Sequence, residues 1–207
     1  MVLNGRTKIL APMLCALAAL AACGCASVPR AHFYTLGGVA LSAHAGSDSA
    51  GPLIRVQRLA VAEPYAGRRI VYRPTATEVS FWDLRRWAEP PDKMITAAAA
   101  EHLAASGMFR GVDSFPYCWD DADLILRGAV LAFEEVDRGD DWYGHVKLFL
   151  ELVDARSRRS LWSSKIEVEK KAAERTPDAL VEALTAALDE ILTQAEGEMS
   201  QAVERSR

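Results

Sequence analysis

The side chain with the most distinctive chemistry stands near the N-terminus, in Leu20-Ala21-Ala22-Cys23-Gly24. A thiol preceded by two small residues and a leucine has the pattern of the bacterial lipobox. There the cysteine sulfur receives a diacylglyceryl group, a membrane-embedded peptidase cuts before the cysteine, and the new amine is acylated. The chemistry needs these residue types: only small side chains fit beside a scissile bond inside the membrane, and the nucleophile must lie at the bilayer surface. Cys23 is therefore the expected lipidation site. Cys25 has Ala22 rather than leucine three places before it, and Cys15 lies in the segment to be discarded.

The elements around Cys23 suit that role. Arg6 and Lys8 precede an apolar run from Ile9 to Ala22 with no acidic residue. A basic start and an apolar stretch shorter than the roughly 20 residues of a bilayer span predict a lipoprotein signal peptide over residues 1–22. Buried acyl chains contribute about 0.8 kcal/mol per methylene, so several together make a firm anchor. Gly24 replaces the aspartate that retains lipoproteins at the inner membrane in enteric bacteria. The expected location is the periplasmic face of the outer membrane, lipid-anchored.

A second group of residues points to recognition rather than reaction. Between Tyr65 and Pro90, arginines interleave with aromatics: Arg68-Arg69-Ile70-Val71-Tyr72-Arg73, then Phe81-Trp82, then Arg85-Arg86-Trp87. Guanidinium groups stack on ring faces, and both residue types are enriched at the energetic centres of protein interfaces. Tyr65, Arg69, Tyr72, Arg73, Arg86 and Trp87 are the candidate partner-binding residues. The alternative, that Tyr72, Phe81 and Trp87 are core and the arginines solvated, stays open on sequence alone.

Other polar groups do not assemble into known reactive patterns. His32, His44, His102 and His145 are scattered, and neither a zincin H-E-x-x-H nor a G-x-S-x-G elbow occurs. The acidic clusters Asp120-Asp121-Asp123 and Asp137-Asp140-Asp141 lack the calcium-loop pattern and read as solvated turns. No enzyme, metal or cofactor is expected beyond the covalent lipid. With 24 basic against 28 acidic residues and a net charge of −4, the chain is no nucleic-acid binder. Cys25 and Cys118 remain as thiols after processing, with their redox state open.

The elements that must position these residues follow from periodicity. Residues 23–52 are rich in Ala, Gly and Ser and read as a flexible tether, interrupted by a short strand near 33–36. Strands are expected over Leu53–Val61, Arg69–Arg73 and Glu78–Trp82, and a helix over about Lys93–Ser106. Three strands follow as an antiparallel meander: Asp123–Val136, Gly144–Val153 and Leu161–Glu169. In the first, Ile125, Ala129, Leu131 and Phe133 are expected on one side; in the second, Val146, Leu148, Leu150 and Leu152. Thr176-Pro177 caps a last helix running to about Met199, with Val181, Leu184, Leu188, Ile191 and Ala195 as its apolar stripe. The expected domain covers residues 53–199, followed by a polar tail over 200–207. Its class is α+β, a mostly antiparallel sheet with two helices packed on one face.

Arg69-Ile70-Val71-Tyr72-Arg73 and Arg86-Trp87-Ala88-Glu89-Pro90, with Phe33-Tyr34-Thr35-Leu36 behind the lipobox, resemble the ABC-type transport auxiliary lipoproteins. These PqiC-like proteins accompany MCE-domain lipid transporters, and the resemblance runs from about Phe33 to Ala195. It implies a periplasmic domain that binds an envelope-bridging MCE-domain protein and assists intermembrane lipid transport. It carries no catalytic residues. A structural lipoprotein assisting outer-membrane or cell-wall assembly is the alternative.

Overall fold

A computed structural model describes residues 29–37, 51–114 and 121–206. The expected lipidation site Cys23, and with it Cys25 and Cys118, lie outside the described residues. The compact unit begins at Ala31.

Among the described residues, nine strands form one sheet. They are β1 (His32–Tyr34), β2 (Leu53–Val56), β3 (Ala60–Val61), β4 (Arg69–Thr75), β5 (Glu78–Trp87), β6 (Gly111–Ser114), β7 (Leu124–Arg138), β8 (Asp141–Asp154) and β9 (Ser160–Lys171). Two helices among the described residues join them, α1 (Pro91–Ala105) and α2 (Pro177–Ser206). The predicted α+β class, with both helices on one face, is what the chain adopts.

The frame is the long meander β7–β8–β9, antiparallel throughout. Its first turn is the two-residue connection Gly139-Asp140, where Gly139 takes φ +64°, a conformation that glycine adopts without a Cβ clash. On the helix-covered face, Val146, Leu148, Leu150 and Leu152 all have 0% exposure, as the alternation predicts.

In β7 the expected parity holds at Phe133 but not before it. Leu131 is inserted as a bulge between Val130, opposite Leu148, and Ala132, opposite Lys147. One extra residue switches the inward-facing set from even to odd numbers. Hence Leu124, Leu126 and Val130 join the main core with Phe133, and Ile125 does not.

The other edge of β7 is shared by β2, β3 and β4 in turn, all parallel to it. β6 adds parallel to β2, β5 antiparallel to β4, and β1 parallel to β5. The parallel pairings are short and the antiparallel ones long. β6 and the parallel pairings of the expected strands were absent from the sequence expectation, because strand order is not written in hydropathy.

α1 starts at Pro91, two residues earlier than the pattern suggested, because proline at the first helical position loses no hydrogen bond there. The Ala179 N–H donates to Thr176 Oγ1, which caps α2 as expected. α2 continues to Ser206, past the expected end near Met199. Ala202 and Val203 extend its buried stripe, so residues 200–206 belong to the helix. Val181, Leu184, Leu188, Ile191 and Ala195 lie in the main core.

Candidate partner-binding site

The arginine–aromatic segment folds into the ribbon β4–β5, and strand alternation sorts its side chains onto two faces. Ile70 and Trp87 enter the main core, where the Trp87 ring lies 5.0 Å from Phe133. Val71, with Tyr65 and Ala132, forms a smaller cluster on the face without helices.

Behind that cluster sits a buried polar clamp centred on Glu134 of β7. Arg73 donates through Nε to Glu134 Oε1 at 3.1 Å and through a terminal nitrogen to Oε2 at 3.0 Å. The Tyr65 hydroxyl donates to Oε2 at 2.8 Å. His145, opposite Glu134 on β8, places Nδ1 3.3 Å from Glu134 Oε1 and Nε2 2.8 Å from Glu167 Oε1. Burial alone would push the Glu134 carboxyl up, but the bonds from His145, Arg73 and Tyr65 outweigh it and hold it below the usual range. Burial first, and then the hydrogen bond to Glu134, push the Tyr65 hydroxyl up to about 12. Burial disfavours the His145 imidazolium, yet the two carboxylates prevail and raise its pKa. Every member of the clamp is occupied with the others, so it fastens β4, β7, β8 and β9 together and offers no free nucleophile.

On the helix side, Tyr72, Trp82 and Trp142 make an aromatic cluster, with centroid separations of 5.5 Å and 5.6 Å. The Trp82 indole N–H donates to Glu135 Oε2 at 3.0 Å. Glu135 is fully buried, and desolvation pushes its carboxyl up to about 7. Arg85 covers Trp82 at 4.1 Å, and Arg175 covers Trp142 at 5.2 Å.

The exposed remainder lies at the sheet edge. Arg69 faces Arg86 across the ribbon, and both are exposed. The Arg69 guanidinium rests 3.9 Å from the Phe81 centroid. On the edge strand, Phe33 stands opposite Arg86 and is 60% exposed. Among the described residues, none of Arg68, Arg69, Arg85 and Arg86 forms an ion pair. The exposed guanidiniums of Arg69 and Arg86 beside an exposed phenylalanine present a cationic, partly apolar surface.

The six candidate residues therefore separate. Arg69 and Arg86 reach the surface together. Tyr65 and Trp87, at 4% and 1% exposure, offer a partner nothing to touch, because strand alternation turns them inward. Arg73 is committed to Glu134, and Tyr72 is half-buried against Trp82. Sequence reasoning missed Phe33 as a surface residue and Glu134, Glu135 and His145 as a buried set. The available signal was an acidic pair in the middle of an apolar strand, which burial permits only with partners.

Among the described residues, no group of three or more His, Cys, Asp or Glu side chains is placed to hold a metal ion, and no helix is long and apolar enough to cross a membrane.

The family model described as "ABC-type transport auxiliary lipoprotein component" matches residues 34–195. No curated protein matches the chain. The fold is similar to protein XCC0632 from Xanthomonas campestris, described as DUF330. The TM-score is 0.73 at 20% identity, over 85% of this chain and 98% of that one. An uncharacterized protein of known structure superposes with a TM-score of 0.67 at 18% identity, over 83% of this chain and 99% of that one. Hypothetical protein CT253 from Chlamydia trachomatis gives 0.51 at 6% identity, over 74% and 98%.

Proposed function

Because the chain belongs to the ABC-type transport auxiliary lipoprotein family, we propose that it is a non-enzymatic adaptor of an intermembrane lipid transporter. Acylated Cys23 moors it to the periplasmic face of the outer membrane. Its folded unit docks an envelope-bridging MCE-domain protein of that transporter. Family membership supports a membrane-anchored place in the cell envelope; the choice of membrane, the MCE partner and the lipid cargo are the proposal.

The observation that carries the docking role is the edge surface of Arg69, Arg86 and Phe33. Guanidiniums that satisfy no internal carboxylate contribute little to the fold and much to electrostatic complementarity with an acidic partner. The clamp around Glu134 and the packing of Trp87 hold that surface rigid, which lowers the entropy lost on binding.

The test is affinity capture of the full, acylated protein from detergent-solubilised envelopes. An MCE-domain protein should be recovered with the wild type and depleted with Arg69→Glu/Arg86→Glu. Repeated recovery without any MCE-domain protein, or equal recovery with the charge-reversed variant, refutes the docking role. The anchor is checked separately with Cys23→Ala, which should retain its leader and leave the outer-membrane fraction.

A further inference from the structure

The sheet ends at β1, which pairs with β5 on one side only among the described residues. Its sequence, His32-Phe33-Tyr34, carries none of the lysines or prolines that usually guard a free edge against strand addition. Facing it across a groove of ≈ 580 Å³ is the N-terminal half of α2. One wall is Phe33, Tyr34 and Thr35; the other includes Val181, Ala186 and a stripe of carboxylates.

Those carboxylates are Asp178, Glu182 and Asp189, spaced so that helical periodicity brings them to one side of α2. All three are exposed, and among the described residues no lysine or arginine lines the groove. Among the described residues, Asp178 and Glu182 form no ion pair, and Asp189 meets only His102, at 3.9 Å. Ala186 is the small residue within the stripe and leaves the middle of the groove open. Among the described residues, an open strand edge, an apolar lining and an acidic rim thus meet in one place.

We infer that this groove takes an extended, lysine- or arginine-bearing segment of a partner protein, which adds as a strand beside β1 and sets its cations against Asp178, Glu182 and Asp189. The backbone of β1 supplies directional hydrogen bonds, and the alternate side chains of the incoming strand meet α2. The acidic rim selects for cations and against an anionic lipid surface. The inference goes beyond the docking role above and does not depend on it, since it uses the opposite sign of charge; Phe33 borders both surfaces, but the carboxylates of α2 belong to the groove alone.

The experiment measures binding of a fluorescently labelled peptide alternating lysine and valine to the full-length acylated protein in detergent, by anisotropy. The same peptide with glutamate for lysine is the control. The lysine peptide should bind and the glutamate peptide should not. Asp178→Lys/Glu182→Lys should weaken binding roughly tenfold or more, and Ala186→Trp should block it by filling the groove. Arg69→Glu/Arg86→Glu should leave peptide binding unchanged, so this inference and the docking role fail separately. The substituted α2 positions are exposed, and unchanged melting of each variant is the folding control. Equal binding of both peptides overturns the inference. So does undiminished binding to either groove variant.

Discussion

Arg73 of β4 and Glu134 of β7 meet as a bidentate pair, with contacts of 3.1 Å and 3.0 Å, across a seam of parallel pairing only three residues long. The carboxylate is almost wholly enclosed, whereas about a quarter of the guanidinium side chain remains exposed. The pair therefore fastens the edge ribbon to the long meander at the point where backbone pairing is sparse.

Arg73→Ala leaves Glu134 with His145 and Tyr65 but without its permanent cation. Removing one partner of an enclosed ion pair costs more than the pair itself contributes. Partial exposure of Arg73 reduces the effect, and the expected loss is about 2–3 kcal/mol. Arg73→Met/Glu134→Leu should lose less than Arg73→Ala. Chemical denaturation of the three proteins checks the order; a double variant weaker than the single one contradicts the clamp.

Trp87 and Arg86 are neighbours in sequence and opposites in role. Trp87→Ala opens a cavity against Phe133 and should cost about 3–5 kcal/mol. Arg86→Ala should stay within about 0.5 kcal/mol. Its effect belongs in partner capture, and a large stability loss at Arg86 would move that residue into the core.

Glu135 predicts a falling stability as pH rises. Its carboxyl titrates near 7 in the fold, against an ordinary 4.5, because burial disfavours the anion. The folded state therefore binds more protons than the unfolded one between those values, so the stabilisation is complete below 4.5 and lost as pH passes 7. The whole change is on the order of 3 kcal/mol. His145, also raised, adds a loss in the same direction above its ordinary 6.5. Glu135→Gln keeps an acceptor for the Trp82 indole and removes the titration. Denaturation midpoints from pH 5 to 8 should decline for the wild type and less steeply for the variant; parallel curves contradict the assignment.

Gly144 lets α2 approach the sheet. A Cβ there would sit 2.7 Å from the Leu184 backbone nitrogen and 2.9 Å from the Ala183 carbonyl carbon. Neither backbone atom can swing aside as a side chain does, so the helix must lift. Gly144→Ala should cost about 1–3 kcal/mol. An unchanged melting temperature would mean that the contact between α2 and β8 is looser than described.

Hydropathy with period two or 3.6 was enough to place the meander and both helices and to pick out the stripe of α2, because those patterns are local and each reports one buried face. The same local logic placed arginines and aromatics together between Tyr65 and Pro90. It did not say which of them faces outward. That was decided by the β4–β5 pairing, which turns Trp87 toward Phe133 and leaves Arg69 beside Arg86. The bulge at Leu131 was equally invisible, since one inserted residue alters no composition yet reverses the parity of everything before it. The partnership of Glu134 with Arg73, Tyr65 and His145 joins residues separated by up to 69 positions. Such contacts exist only once β2, β3 and β4 line up along β7, and strand order is set by packing of the whole chain rather than by any segment of it.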